Sequence, residues 1–161
     1  MKNHASLTIS ITALLFVLLR SATVQAAFCE DVHQSLELSD SGFSSIKSEQ
    51  EISPGLYSAN IRLFDAERCE VIDSTFPSSL RCSWSFDYQA LLAETRFDEL
   101  TAALSQCLGD KVTVEVDMAV NHPDTYRSEL YQVPDIDMRV TLKKKFALKK
   151  KYVSLFVMRQ P

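Results

Sequence analysis

What the chain lacks narrows its chemistry before any motif is read. It has no G-x-S-x-G elbow, and no C-x-x-C pair joins its four cysteines. A nucleophilic hydrolase and a cysteine-rich zinc module therefore have no signature here. Glycine is scarce, at three residues, and proline numbers five, which excludes a fibrous or low-complexity chain. Beyond residue 20 there is no long apolar run, so nothing after the N-terminus reads as a membrane-spanning helix. Basic residues are scarce too: Ala27 to Met138 holds seven against 21 acidic groups.

The N-terminus is different. Met1-Lys2-Asn3-His4 carries one fixed positive charge, Leu7 to Leu19 is an almost unbroken apolar run, and Val24-Gln25-Ala26 places small residues where a signal peptidase reads. A spanning helix needs roughly 20 apolar residues, and Arg20 interrupts this run too early. Phe28 before Cys29 does not fit a lipobox. The expectation is a cleaved signal peptide over residues 1–26 and a single exported domain over 27–161, periplasmic or secreted, without a transmembrane anchor. An even number of cysteines in an exported chain predicts two disulfides.

Removing 26 of 161 residues leaves 135, with 15 basic against 21 acidic groups and a net charge of −6. The last 23 residues break the pattern: they hold Arg139, Lys143, Lys144, Lys145, Lys149, Lys150, Lys151 and Arg159 and no acidic residue. An acidic domain with one basic end does not predict nucleic-acid binding, which needs a broad basic surface.

Hydrophobic periodicity gives the elements. Phe28, Val32 and Leu36 recur every four residues and predict a short helix, broken at Asp40-Ser41-Gly42. The polar stretch to Pro54-Gly55 reads as a loop, and Tyr57 to Leu63 alternates as a strand. Asp65 to Glu70 reads as a charged turn carrying Cys69. Leu80, Cys82, Trp84, Phe86 and Tyr88 form one face of a second strand. Phe97, Leu100, Leu104, Cys107 and Leu108 predict a helix from Arg96 to Leu108, with Thr95 and Asp98 as a capping box and Gly109 as its C-cap. Val112, Val114, Val116, Met118 and Val120 predict a third strand with one buried and one wet face. It ends in a turn at Asn121-His122-Pro123-Asp124. Met138, Val140 and Leu142 mark a fourth strand, and Val153, Leu155 and Val157 a fifth. The expectation is an α+β domain, a largely antiparallel sheet of about five strands packed by one main helix. A helix resting on the second strand brings Cys82 to Cys107, which leaves Cys29 for Cys69, although four cysteines allow three connectivities.

Two surface features carry the functional expectation. Asn121, His122, Asp124 and Tyr126 put an imidazole, a carboxamide and a carboxylate on one turn, with Glu115 and Asp117 on the wet face of the strand leading into it. They predict a loop that recognises a protein or envelope partner, inhibitor-like and without catalysis. Lys143, Lys144, Lys145, Lys149, Lys150 and Lys151 flank Phe146 and Leu148, a composition suited to peripheral contact with anionic lipid. A carboxylate-based hydrolase is the third reading, since 21 acidic residues offer many pairs. No cofactor is expected, nor a metal, since His33 is the only other histidine after residue 26.

Overall fold

The computed structural model describes residues 25–73, 77–109, 113–121 and 124–160. Its centre is one antiparallel sheet of eight strands: β1 (Lys47–Ser53), β2 (Leu56–Ala59), β3 (Arg68–Ile72), β4 (Ser79–Asp87), β5 (Thr113–Asn121), β6 (Asp124–Val133), β7 (Ile136–Lys145) and β8 (Lys150–Arg159). Residues 25–39 form a helix, α1, and Leu92–Leu108 forms α2. The five-strand sheet with one main helix is thus corrected to eight strands and two helices. The three strands missed by periodicity, β1, β3 and β6, are polar or short.

Strand order is β1-β2-β3-β4-β8-β7-β6-β5. A helix followed by a four-stranded meander occurs twice along the chain, and the two meanders join where β4 pairs with β8 over nine residues, Ser79↔Met158 to Asp87↔Lys150. The halves therefore repeat the same order of elements on either side of the β4–β8 seam. Such meanders need only short hairpin connections, since antiparallel strands close with tight turns.

One face of the sheet is apolar at its centre. Leu80, Cys82 and Trp84 of β4, Val153, Leu155 and Val157 of β8, and Met138, Val140 and Leu142 of β7 are buried there, with Phe97, Leu100 and Leu104 of α2. From α1, Val32 joins this core and Phe28 stacks on Phe64, with ring centres 5.2 Å apart. Burying an apolar side chain of this size stabilises by about 1.5–3 kcal/mol, so this layer dominates the fold. α2 starts earlier than the expected Arg96. Its N-cap is Leu91 with no side-chain cap, and Thr95 bonds back to the Leu91 carbonyl, so the expected capping box does not form. Gly109 does close the helix, with φ of 67° and its N–H on the Ser105 carbonyl.

All four cysteines are bonded, but as Cys29–Cys107 and Cys69–Cys82 rather than the expected Cys82–Cys107 and Cys29–Cys69. Cys69 is not in a turn: it lies in β3, directly opposite Cys82 across the β3–β4 pair. Cys107 sits in the last turn of α2, where it meets α1 instead of the sheet. The long bridge ties the two helices together, and the short one staples a hairpin. Residues 1–24 lie outside the described residues, as do Pro123 and Val112. The expected cut after Ala26 falls among helical residues. Among the described residues no helix is long and apolar enough to cross a membrane.

Candidate functional site

β5 is the outermost strand of the second half, and its register with β6 is unbroken from Thr113↔Gln132 to Asn121↔Asp124. Cross-strand rows show which face each residue joins. Val114 continues the row Tyr131–Met138–Val157, Val116 continues Glu129–Val140–Leu155, and Met118 continues Arg127–Leu142–Val153. On β7 and β8 these positions are core. On β5 they lie past the helix layer and are bare: Val114 is 43% exposed, Val116 62% and Met118 73%. The buried face expected for this strand is therefore corrected to an exposed one. Alternation specifies which side chains share a face, and it cannot specify whether anything covers that face.

The helix layer stops at β6 for identifiable reasons. Arg127 spans from Asp98 of α2 (3.0 Å) to Glu129 (3.1 Å), and its guanidinium lies 4.3 Å from the centre of the Phe97 ring. The Tyr131 hydroxyl is within 3.0 Å of the Thr101 carbonyl and 2.9 Å of Glu129, and its single proton can serve one of them at a time. Burial pushes the Tyr131 phenol up to about 12, with the Glu129 carboxylate adding to the shift. This polar clasp fixes the flank of α2 over β6. The expectations above did not single out Arg127, Glu129 or Tyr131. Their alternation with Ser128 and Leu130 is the signal that would have placed them on one strand face.

Glu115 and Asp117 lie on the opposite face of β5 and are exposed, as a wet face requires. Asn121 pairs with Asp124 in the backbone register, so the predicted turn joins β5 to β6, while His122 lies outside the described residues. Asp124 is not free for a partner. Its carboxylate accepts hydrogen bonds from the Lys145 ammonium (2.6 Å) and the Phe146 N–H (3.0 Å), which together hold its pKa below the usual carboxylate range. Tyr126 is half-buried, with the Lys143 ammonium 5.6 Å from its ring centre.

The start of β6 and the lysine-rich β7–β8 turn, separate in sequence, are thus adjacent. Four of the six lysines are committed to carboxylates: Lys144 and Lys151 to Glu94, Lys145 to Asp124 and Lys150 to Asp87. Lys151 is only 5% exposed and also donates to the Ala90 carbonyl (2.8 Å). Burial works to raise the Glu94 pKa, but hydrogen bonds from Lys144 and Lys151 outweigh it and hold it below the ordinary glutamate value. Of the six lysines expected to meet an anionic surface, four thus have carboxylate partners within the chain.

Among the described residues no cluster of three or more His, Cys, Asp or Glu could hold a metal ion. Trp84 is buried, donating its indole N–H to the Asp65 carbonyl (3.0 Å) beneath the Arg96 guanidinium. No protein-family model matches the chain, and neither a characterised protein nor a solved structure gives a significant match.

Proposed function

We propose that this chain is an exported binding protein that captures an extended segment of a protein partner as an additional strand beside β5. One observation carries the reading: β5 is a nine-residue, regularly paired edge strand whose residues 114–118 are all exposed. An open edge offers a row of unpaired backbone donors and acceptors, and natural proteins normally blunt such edges. Edge addition gives affinity through the main chain and specificity through alternate side chains. The specificity here is two-faced. Val114, Val116 and Met118 favour apolar side chains on one face, and Glu115 and Asp117 favour Lys or Arg on the other. Export and removal of residues 1–26 place this edge in an oxidising compartment, where Cys29–Cys107 and Cys69–Cys82 persist.

The same charges disfavour self-pairing. An antiparallel register centred on Val116 sets Glu115 against Asp117 of a second copy and Asp117 against its Glu115, and like charges directly opposite are destabilising. The partner is therefore a different chain with basic residues at alternate positions. Asp124 holds the hairpin ends together, so recognition rests on Glu115 and Asp117.

Titration with synthetic peptides tests this reading. A peptide alternating valine with lysine should bind saturably, and one alternating valine with glutamate about tenfold or more weaker, a difference of about 1.4 kcal/mol. Glu115→Gln with Asp117→Asn should abolish the difference, because those carboxylates are what distinguish lysine from glutamate. Equal binding of both peptides, or binding indifferent to those substitutions, would refute the assignment.

A further inference from the structure

The opposite use of the lysine-rich turn follows from which lysines remain unpaired. Lys144 pairs in register with Lys151, and Lys145 with Lys150, so the two pairs point to opposite faces of the β7–β8 hairpin. Glu94 clamps the first pair from the helix side. Asp124 and Asp87 hold the second from the other side, at 2.6 and 2.8 Å. The hairpin is thereby fixed on both faces and presents Phe146-Ala147-Leu148-Lys149 at its tip, closed by the Lys149 N–H on the Phe146 carbonyl.

Three carboxylates against six ammonium groups leave this end with three excess positive charges. Lys143 and Lys149 lie instead against rings, Tyr126 at 5.6 Å and Phe146 at 3.8 Å. Apolar side chains crowd the same end. Leu148 is 61% exposed and Phe146 44%. Leu91 and Leu92 are 76% and 65% exposed. They follow Ala90, whose carbonyl receives Lys151, and the Tyr88 N–H bonds the Lys149 carbonyl. Residues from two separate segments thus put bare apolar groups and net positive charge at one end of an otherwise acidic molecule.

We infer that this end is a contact for an anionic lipid surface, with Phe146 and Leu148 entering the headgroup boundary and the excess positive charge, Lys143 and Lys149 foremost, meeting lipid phosphates. Interfacial anchoring combines these two ingredients, a small apolar insertion and nearby cations. This contact uses Phe146, Leu148, Lys143 and Lys149, and the β5 edge uses Val114 to Met118, so either can fail without the other.

Co-sedimentation of the exported, oxidised protein with vesicles of equal parts phosphatidylcholine and phosphatidylglycerol tests it, against vesicles of phosphatidylcholine alone. Binding to the anionic vesicles is expected, weakening as salt shortens the Debye length from about 30 Å to about 8 Å. Phe146→Ser with Leu148→Ser should weaken it about tenfold, as lost burial of two apolar side chains implies. Lys143→Gln with Lys149→Gln should remove most of the salt dependence. Leu148→Trp, at an exposed position that tolerates substitution, should bind at least as well and shift its emission to the blue on anionic vesicles. Absence of binding, equal binding to neutral vesicles, or binding unchanged by the serine substitutions would overturn the inference.

Discussion

The two halves of the molecule share one plan, a helix followed by four antiparallel strands, yet they end in opposite kinds of edge. In the first half β1 has the sequence Lys-Ser-Glu-Gln-Glu-Ile-Ser and pairs with a four-residue β2 through two register shifts. Its charges are used internally: Lys47 binds Asp73 at 2.7 Å, and Glu51 accepts the Gly55 N–H at 2.6 Å. Bulges, short strands and lysine are the devices that stop an edge from recruiting another chain. In the second half β5 to β8 are nine or ten residues each, and β5 carries none of these devices on its exposed apolar face. A sheet that protects one edge and leaves its counterpart open points to the open one as the working surface.

The first half also holds two consecutive residues in the left-handed region, where its loop meets both helices. Phe64 and Asp65 adopt positive φ, at 60° and 52°, a conformation costly for residues with a Cβ. They are held there from three directions, by Asp31 of α1 on the Phe64 N–H, by Arg96 of α2 on the Phe64 carbonyl, and by Trp84 of β4 on the Asp65 carbonyl. Here the loop is a fastening point between helices and sheet. The strain is offset by packing and needs no ligand to account for it.

The largest expected effect separates the halves. Replacing Cys29 and Cys107 by alanine opens a crosslink between residues 78 apart, and chain entropy puts the loss at about 4.5 kcal/mol. Replacing Cys69 and Cys82, 13 apart, should cost about 3 kcal/mol. Urea unfolding of both double variants measures the two losses, and a reversed order would mean the helices are not the joint between halves. Glu94→Gln comes next, at about 1–2 kcal/mol, because it leaves the buried Lys151 without its carboxylate while Lys144 stays half-solvated. The sign of its pH dependence follows from the lowered pKa. A carboxylate depressed in the folded state contributes stability above the ordinary glutamate value, and that contribution is lost as pH falls through the folded value. Wild-type stability should therefore decline more steeply than that of Glu94→Gln below about pH 4.3, as read by thermal unfolding across pH. The smallest effect sharpens the edge comparison most. Val116→Lys should change stability by no more than about 0.5 kcal/mol, as for exposed positions generally, while weakening capture of the valine–lysine peptide. A large stability loss would mean that β5 packs in the core after all.

How much of this was legible depended on what each residue had to reveal. α1, α2, β4, β7 and β8 show in the sequence because Phe28, Leu104, Leu80, Val140 and Leu155 lie on periodic apolar faces that are buried. β1 stays hidden because Lys47 to Ser53 has Ile52 as its single apolar residue and so no periodic face, and β6 because Arg127 and Glu129 face the helix layer as ions. The cysteine pairing was misread for the same reason: with β3 taken for a turn, Cys69 could not be placed opposite Cys82. The candidate site was legible as residues and not as geometry. Glu115 and Asp117 were identified, but the exposure of Val114, Val116 and Met118 depends on strand order, which no local pattern encodes. Nor did Asp124 reveal that Lys145 would occupy it.

Backbone amide hydrogen exchange, measured with and without the alternating valine–lysine peptide, compares the two edges most directly. If β5 is the open edge, saturating peptide should slow exchange along Thr113–Asn121 and leave Lys47–Ser53 unchanged. Protection of β1 instead, or of neither edge, would contradict the claim that this protein works through its unguarded strand.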